Sequence, residues 1–320
     1  MSSKRAVGIV GVGSVGIAAA YALFTRRAVS ELLLVDKDAA RAEGEAMDLM
    51  HGQALVGRIT VRATGYEALG DAAVVVVAAG RSQKRGETRL DLAQGNAQVI
   101  REVMSKLDRH APGAVVILAT NPVDVLTHLA IRATERPATR VFGTGTTLDS
   151  ARFRALIGEA YGVSPRSIHA HVLGEHGDSQ VAAWSTARIG GASVDDEAAT
   201  GKRLDDAQRQ DIAERTRGAA KAIIERKGRT DLAIGTVIAH LVGAVLGDER
   251  AVHPLSVPLQ GEYGLHDVCL SIPCVLGAGG IEGRLPPRLS VPELAALTRS
   301  AETLRAAARD AGGTGGTPSQ

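Results

Sequence analysis

Short apolar runs alternate with amphipathic segments through the first half of the chain. The runs lie at residues 7–10, 32–35, 59–61, 73–79, 115–119 and 140–142, and the two longest segments between runs, 14–27 and 90–109, have helical spacing. Strands that alternate with helices are typical of βαβ units, and uninterrupted apolar strands are typical of a parallel sheet covered on both faces. Residues 1–143 are therefore predicted to form an α/β domain with a doubly wound parallel sheet.

The second half of the chain changes character. Helices are predicted at residues 148–161, 205–227, 231–246 and 291–309, and strands at 168–173, 181–189, 253–259 and 268–275. The connections are longer and the strands are expected to pair antiparallel, so residues 144–310 are predicted to form a second, α+β domain. Residues 311–320 are mostly small and polar, and we expect them to form a disordered tail.

The composition narrows the class of protein. Of the 320 residues, 45% are hydrophobic and 22% are charged, which excludes a mainly disordered or collagenous chain. The net charge is +2 with dispersed basic residues, so no nucleic-acid partner is expected. The longest apolar run, 72–79, is too short to span a membrane, and the first residues lack a secretion signal. We therefore expect a cytoplasmic protein without a membrane partner.

A glycine-rich turn follows the first predicted strand and opens the first helix. Gly11, Gly13 and Gly16 form the pattern Gly-x-Gly-x-x-Gly, in which the backbone approaches a pyrophosphate at a helix N-terminus. Asp36 ends the second predicted strand, where its carboxylate can accept hydrogen bonds from a ribose and repel a 2′-phosphate. This Rossmann pattern predicts NAD rather than NADP. The alternative is a turn used only for close helix packing. Tyr66 is a candidate for the adenine pocket or for an exposed loop position.

Polar segments follow the later strands of the predicted sheet, where ligands bind in such folds. The basic loop at residues 81–89 suits a mobile lid over an anionic substrate, or is simply a solvated loop. Asn121 follows the fifth strand and can hydrogen-bond a ligand there. Asp149 and Arg152 lie three residues apart on one helix face, either as site residues or as a plain intrahelical ion pair.

Three histidines and two acids lie within residues 169–178. A metal site is one interpretation, but His169 and His171 are on a predicted strand while His176 is flanked by glycine in a loop, and no fourth ligand has suitable spacing. No metal is therefore expected. A catalytic imidazole is the better interpretation of His176, because its ordinary pKa lies near neutral pH.

Taken together, these motifs resemble the lactate/malate dehydrogenase family, and within it the lactate enzymes. The matching stretches are residues 11–16, 36, 83–92, 120–124, 148–154, 174–179 and 227–230, which leaves little but the tail uncovered. The resemblance implies an NAD-binding domain followed by a mixed substrate domain, and reversible hydride transfer between NADH and pyruvate to form L-lactate.

The resemblance also implies the roles of the site residues. His176 would be the general acid and base, Asp149 would orient its imidazole, and Arg89 would polarise the substrate carbonyl. Arg152 would bind the substrate carboxylate through a two-pronged ion pair, with Asn121 and Thr230 completing the pocket. The residues implied to contact the cofactor are Gly11, Gly13, Val15, Gly16, Asp36, Arg41, Tyr66, Gly80, Arg81, Asn121, Thr144 and Ile234.

Gln83 is the residue expected to select the substrate. In the family that the chain resembles, lactate enzymes have a glutamine at the corresponding lid position and malate enzymes have an arginine, because a second carboxylate needs a cation. Gln83 therefore favours pyruvate. Arg85, which stands where proline is common, supplies a cation nearby and keeps oxaloacetate as the alternative substrate. Asp231 adds an acid near the predicted substrate pocket without an evident reason.

Two further positions resemble an effector site. Arg154 and His169 match residues that bind fructose 1,6-bisphosphate between subunits of a homotetramer in many bacterial members, which implies an allosteric enzyme of pyruvate fermentation. The alternative is that both are merely surface residues.

Other classes of nucleotide-binding protein are excluded or remain as alternatives. A short-chain dehydrogenase needs Tyr-x-x-x-Lys, and none of the four tyrosines is followed by lysine at that spacing. A P-loop enzyme fails because Gly16 is not followed by lysine and a hydroxyl residue. A non-catalytic NAD-binding scaffold of the same fold stays open, because a fold alone does not prove activity.

Overall fold

The computed structural model describes residues 5–81 and 89–312, without the side chains of residues 89–91. In the first half, the strands are β1 (Ala6–Val10), β2 (Glu31–Val35), β3 (Thr60–Ala63), β4 (Val74–Val77), β5 (Val115–Leu118) and β6 (Val141–Gly143). The helices are α1 (Ser14–Thr25), α2 (Ala39–His51), α3 (Gln53–Val56), α4 (Arg89–His110) and α5 (Val123–Arg132). The six strands are parallel, in the order β6-β5-β4-β1-β2-β3. The predicted doubly wound α/β fold is confirmed.

The apolar strands are buried on both faces of this sheet. In β4, Val74 and Val76 belong to one core cluster, and Val75 and Val77 to another on the opposite side. Successive strand residues point to opposite faces, so helices on both sides of the sheet require a run of four valines rather than an alternating pattern.

The second half contains smaller sheets, long helices and a hairpin. Its helices are α6 (Thr147–Tyr161), α7 (Glu197–Thr200), α8 (Asp206–Lys227), α9 (Leu232–Leu246) and α10 (Val291–Gly312). Its strands are β7 (Ile168–His169), β8 (Val172–Leu173), β9 (Val181–Ala182), β10 (Arg188–Ile189), β11 (Ala192–Ser193), β12 (Ala251–Gln260), β13 (His266–Gly277) and β14 (Gly280–Arg284). All of its strand pairs are antiparallel, as predicted.

The long hairpin of the second half extends the sheet of the first. Strand β12 lies antiparallel to β6, with Ser256 opposite Gly143, and β13 and β14 continue outward. The sequence analysis did not foresee this continuity, because the register of a distant strand pair leaves no local signal.

The prediction of long strands at residues 168–173 and 181–189 is wrong. Each is divided into two short strands that lie in different small sheets. The first breaks at residues 170–171, and after the break the backbone N–H of Val172 donates to Ser150 Oγ at 2.8 Å while its carbonyl accepts a bond from the Thr146 hydroxyl. The second is interrupted by a single helical turn at Trp184–Thr186.

The C-terminal helix is longer than predicted. It continues to Gly312 because Ala311, expected to begin the tail, is buried in the core cluster that contains Leu304. Residues 313–320 lie outside the described residues, so the rest of the predicted tail is not tested. Within residues 5–81 and 89–312, no helix combines the length and apolar character that a membrane crossing requires.

A buried arginine closes the C-terminal end of α4. Arg136, 8% exposed, forms an ion pair with Asp108 at 2.8 Å and donates to the carbonyls of Ala111 and Ala114 at 2.7 and 2.9 Å. Carbonyl groups at a helix end lack intrahelical partners, so the guanidinium satisfies several acceptors at once.

Replacing Arg136 with methionine should destabilise the protein. The substitution keeps the buried aliphatic volume but leaves the carboxylate of Asp108 and the carbonyl groups unpaired, so we expect the free energy of unfolding to fall by about 2–4 kcal/mol. Urea denaturation measures this change. Arg109→Met, on the exposed side of the same helix end, is the matched control. A loss below about 1 kcal/mol for Arg136→Met would contradict this account.

Candidate active site

The carboxyl ends of the parallel strands gather most of the predicted cofactor residues along one edge of the sheet. The glycine turn follows β1, Asp36 follows β2, Gly80 and Arg81 follow β4, Asn121 follows β5, and Thr144 follows β6. In doubly wound folds this edge binds ligands, and the order of the strands reverses direction between β1 and β4. The topology therefore places these residues where a dinucleotide binds.

The glycine turn has the geometry that a bound pyrophosphate needs. Gly11 has a φ of +92°, and a Cβ atom there would lie 2.5 Å from Ala79 Cα. A Cβ on Gly16 would lie 1.9 Å from the carbonyl oxygen of Gly11, whereas a Cβ on Gly13 would meet no atom beyond its chain neighbours within 4 Å. Gly11 and Gly16 are thus required for packing, and Gly13 leaves open space before the N-terminus of α1, which has no capping side chain. These residues fit a dinucleotide.

Asp36 stabilises the glycine turn in addition to its predicted role. Its Oδ2 accepts the backbone N–H of Val12 at 2.8 Å, and its Oδ1 accepts that of Asp38 at 3.0 Å. The carboxylate is therefore held beside the turn in a fixed orientation, facing the same edge as the glycines.

Tyr66 lies close to Asp36 without a bond between them. Its ring is half-buried with Lys106 Nζ 5.0 Å from the ring centre. Burial, with the charges of Asp36 and Glu102, raises the pKa of Tyr66 to about 12, so the side chain stays neutral. A neutral ring at this position agrees with an adenine-pocket role and excludes the alternative of a fully exposed loop tyrosine.

The remaining cofactor candidates lie around the same edge. Arg41 is exposed in the first turn of α2, and Val15 and Ile234 are partly buried. Helix α9 brings Ile234 toward α1, because at Gly235 a Cβ would lie only 2.6 Å from the Ala18 backbone. The side chain of Arg81 lies across α4 at Gly95, where a Cβ would approach its guanidinium within 2.7 Å.

A hydrogen-bonded group of three side chains forms the centre of the site, in which Asp149 is buried and His176 and Arg152 are partly buried. His176 Nδ1 lies 2.6 Å from Asp149 Oδ2, and Arg152 Nη1 donates to Asp149 Oδ1 at 3.0 Å. Asp149 and Arg152 are on the first turns of α6, and His176 is in the loop between β8 and β9. The Asp149–Arg152 pair is therefore not a plain intrahelical ion pair, because it also includes the histidine of a distant loop.

The charges in this group support a proton-donating histidine. Burial acts to lower the pKa of His176, but the carboxylates of Asp149 and Asp124 outweigh it and raise the pKa above the ordinary value. Burial likewise acts to raise the pKa of Asp149. The charges and hydrogen bonds of His176 and Arg152 outweigh this effect, so the pKa of Asp149 lies below its ordinary value. With Nδ1 bonded to an ionised acid, Nε2 is the atom that can exchange a proton with a substrate.

Two residues of the site were missed by sequence reasoning. Asp124, on α5, is 2% exposed and accepts the backbone N–H of His176 at 2.7 Å. Asn96, on α4, is 1% exposed and joins the ends of β4 and β5, because it accepts from Arg81 N at 2.9 Å and donates to the carbonyl of Asn121 at 2.9 Å. The sequence feature that could have identified Asn96 is its position, because a polar side chain lies on the apolar face of an amphipathic helix between Ala93 and Ile100.

Several predicted site residues cannot be compared with the structure. Gln83 and Arg85 lie outside the described residues, and the side chain of Arg89 is not described. Thr230 is partly buried immediately before α9.

The unexplained acid Asp231 has a structural role. It caps α9 by accepting the Leu232 N–H at 3.0 Å, and it forms ion pairs with Lys227 at 2.6 Å and Arg229 at 2.5 Å. Hydrogen bonds from these two cations lower its pKa to about 2.

The predicted effector residues lie in a separate cationic cluster. Arg154 is on α6, where its Nε donates to the carbonyl of Ser150 at 3.3 Å, and His169 is exposed on β7. Burial, together with the charges of Arg154 and His169, lowers the pKa of the neighbouring His171 to about 4. In the described part of the chain, no group of three or more potential ligands is arranged to hold a metal ion.

Comparison with protein families covers nearly the whole described chain. Residues 5–143 match the family described as lactate/malate dehydrogenase, NAD binding domain. Residues 146–312 match the family described as lactate/malate dehydrogenase, alpha/beta C-terminal domain.

Individual relatives are similar over almost their full length. The chain is 55% identical to an L-lactate dehydrogenase of Salinibacter ruber over 306 residues, which is 95% of this chain and 97% of that protein. It is 47% identical to an L-lactate dehydrogenase of Thermus aquaticus, over 94% of this chain and 98% of that protein. The crystal structure of a minor L-lactate dehydrogenase from Enterococcus mundtii, in a ligand-bound form, superimposes with a TM-score of 0.92 at 38% identity, covering 96% of this chain and 98% of that one.

The Asp36 carboxylate should determine the choice of dinucleotide. Asp36→Asn keeps an acceptor for the Val12 N–H but removes the charge that repels a 2′-phosphate, so we expect the preference for NADH over NADPH to fall about tenfold or more. Fluorescence titration with each dinucleotide measures the two Kd values. Asp38→Asn, which changes the neighbouring acid, is the control. An unchanged ratio of Kd values for Asp36→Asn would mean that another group selects the cofactor.

Proposed function

We propose that this chain, which belongs to the lactate/malate dehydrogenase family, is an NAD-dependent L-lactate dehydrogenase that interconverts pyruvate and L-lactate. The observation that carries the proposal is the buried Asp149–His176 pair, 2.6 Å between Oδ2 and Nδ1, beside Arg152 and the dinucleotide edge of the sheet. Relatives that bear this name are 42–55% identical to the chain over most of its length. NAD is the cofactor of the family's first domain.

In pyruvate reduction, His176 acts as the general acid. NADH, when bound, supplies the hydride that adds to the carbonyl carbon. His176 gives its Nε2 proton to the carbonyl oxygen, so that the carbonyl becomes the hydroxyl of L-lactate, and it takes the same proton back in lactate oxidation. Asp149 keeps the proton of Nδ1 in place and stabilises the imidazolium. The raised pKa of His176 keeps the acid form available near neutral pH.

Arg152 binds and orients the substrate. Its side chain is 14% exposed and is held by Asp149 at one nitrogen, which orients the planar guanidinium for a two-pronged pair with the carboxylate of pyruvate. Arg89 polarises the carbonyl as negative charge develops on its oxygen, and Asn121 and Thr230 complete the pocket. A non-catalytic NAD-binding scaffold would not need the buried acid and imidazole.

Gln83 selects pyruvate in this proposal, because a neutral amide suits a methyl group and leaves a second carboxylate without a cation. Oxaloacetate remains the second candidate substrate, and the specific feature that favours it is Arg85, two residues away.

We also propose a fructose 1,6-bisphosphate site at Arg154 and His169, in a homotetramer. Arg154 supplies a cation there, and its charge and that of His169 act on His171, so a bisphosphate would add the negative charge that this cluster lacks. Exposed apolar side chains on α1, α2, α3 and α9, namely Tyr21, Met47, Leu55 and Leu232, support contacts between subunits.

Free Cys269 and Cys274 agree with a reducing, cytoplasmic compartment, where the enzyme would serve pyruvate fermentation.

Initial rates of NADH oxidation test the substrate assignment. We expect kcat/KM for pyruvate to exceed that for oxaloacetate at least about tenfold, and Gln83→Arg to shift this ratio toward oxaloacetate. Arg85→Gln is the matched control and should leave the pyruvate preference intact. If the wild type prefers oxaloacetate and Arg85→Gln abolishes that preference, Arg85 binds the second carboxylate and the chain is a malate enzyme.

Parallel assays with fructose 1,6-bisphosphate test the effector site. We expect the effector to lower the KM for pyruvate, and we expect Arg154→Gln to abolish this effect.

His176→Ala tests the acid and base assignment. Removal of the proton donor should lower kcat about 100-fold or more while NADH binding stays within about threefold of the wild type. Stopped-flow rates and fluorescence titration measure the two quantities. His266→Ala, at an exposed histidine, is the control. A variant that keeps most of its rate would show that His176 is not the proton donor.

A further inference from the structure

The C-terminal helix α10 places a buried hydroxyl group against the catalytic loop (residues 175–180), which carries His176. The buried residues on the face of α10 that packs against the core have helical spacing, and they include Leu297, Ser300, Ala301 and Leu304. Ser300 is the polar member of this set and is 0% exposed. A buried hydroxyl group is costly unless it is hydrogen-bonded, so the partners of Ser300 indicate its role.

The partners of Ser300 lie on both sides of His176 in the catalytic loop. Its Oγ accepts the backbone N–H of Glu175 at 2.9 Å, and it is hydrogen-bonded to the hydroxyl of Ser179, also at 2.9 Å. The loop also bonds to itself, because the N–H and the hydroxyl of Ser179 donate to Glu175 Oε2 at 3.0 and 2.6 Å. Glu175, Ser179 and Ser300 thus form a closed ring of hydrogen bonds, and His176 lies in the segment that this ring closes.

Two glycines of this region leave room for the ring. Gly174 has a φ of +83°, and a Cβ atom there would lie 2.9 Å from Ser300 Oγ, so α10 approaches the main chain directly. A Cβ on Gly177 would lie 2.7 Å from Glu175 Cδ, so the carboxyl group of Glu175 packs against the main chain at that point. The glycines that flank Glu175 and His176 in the sequence therefore have a packing role in the ring.

We propose that Ser300 is a positioning residue for the reaction, because the ring that it closes fixes the main chain on both sides of His176. The imidazole has to keep Nδ1 at 2.6 Å from Asp149 Oδ2 while Nε2 faces the substrate. A displacement of about 1 Å at a reacting group is enough to slow a reaction strongly. The kinetic part of this inference rests on the proposed function, whereas its structural part concerns the folded chain and can be tested without a substrate.

Other bonds to this region restrain different points of the chain. The backbone bonds between Gly174 and Ser271 fix the point where the loop begins, and the bond from the His176 N–H to Asp124 fixes the middle of the loop. Ser179 comes two residues before β9, so the ring restrains the segment in which the loop returns to a strand. Without the ring, the position of the imidazole would depend on one side of the loop.

Ser300→Ala tests the positioning role by kinetics. The substitution keeps a good helix former on α10 but leaves the N–H of Glu175 without its acceptor. We expect kcat for pyruvate reduction to fall about tenfold, while the KM for pyruvate and the Kd for NADH stay within about threefold of wild type. Steady-state rates and fluorescence titration measure these quantities.

Thr216→Val is the matched control for the loss of a buried helix hydroxyl. Thr216 is 0% exposed, and its hydroxyl donates to the carbonyl of Ile212 in its own helix, α8, at 2.8 Å. The control should keep its kcat. If Ser300→Ala binds NADH normally and keeps kcat within about threefold of wild type, the positioning role is overturned.

Ser179→Ala opens the same ring from the loop side. Because a ring that is already open cannot be opened again, the double variant with Ser300→Ala should be no slower than the slower single variant, within about threefold. Losses that multiply, to about a hundredfold in the double variant, would show that the two hydroxyl groups act independently and would overturn the ring as a unit.

Hydrogen exchange followed by NMR tests the structural part without a substrate. In the wild type we expect the Glu175 amide to exchange about 100-fold more slowly than in an unstructured peptide, and in Ser300→Ala to exchange about tenfold faster than in the wild type. The Ser271 amide, which donates to Gly174, is the internal control. If Ser300→Ala does not fold, Ser179→Ala serves for the same comparison, since its site is only partly buried.

An unprotected Glu175 amide in the wild type, or equal exchange in wild type and variant, would overturn the inference. If the wild type reduces neither pyruvate nor oxaloacetate, the proposed function fails, and the exchange rates still decide whether Ser300 restrains the loop.

Discussion

The proposed active site depends on one residue of the long hairpin, Ser271, which holds both segments that carry Asp149 and His176. Its backbone exchanges two hydrogen bonds with Gly174, at 3.0 and 2.9 Å, immediately before the catalytic loop. Its hydroxyl accepts the backbone N–H of Thr146 at 3.0 Å, immediately before α6. Gly145 must be glycine for this approach, because it has a φ of +51° and a Cβ there would lie 2.5 Å from the Ser271 hydroxyl. Asp149 and His176 lie within hydrogen-bond distance because strand β13 positions both of these segments.

Burial and charge oppose each other throughout the site. An isolated carboxylate or imidazolium in this environment would be costly, and Asp149 and His176 can both be charged because each has a partner of opposite charge within hydrogen-bond distance. Asp149 is paired with both His176 and Arg152 and stays ionised. Asp124 has only neutral donors in direct contact, and its pKa is correspondingly raised. The two acids thus differ in charge behaviour because of their partners, although they face the same histidine.

Sequence reasoning was most accurate where a residue's role depends on local geometry. Gly11 and Gly16 are required by the shape of a single turn, and the apolar strands of the first half are recognisable because each is buried on both faces. It was least accurate where backbone groups bond to distant side chains, as at Val172, whose N–H and carbonyl bond to the hydroxyl groups of Ser150 and Thr146. Asn96 and Asp124 were missed for a related reason, since their partners lie 25 and 52 residues away along the chain.

The sequence by itself determined the doubly wound sheet and the dinucleotide turn, because spacing along a strand or helix specifies which side chains share a face. The roles proposed for Asp149, His176 and Arg152 follow from its resemblance to the family. Only the tertiary structure decided that the hairpin of the second half extends the parallel sheet, that Asp231 caps a helix, and that Asp124 accepts the backbone N–H of His176. These features arise from contacts between segments far apart in sequence, and the strength of a buried charge depends on what surrounds it in three dimensions.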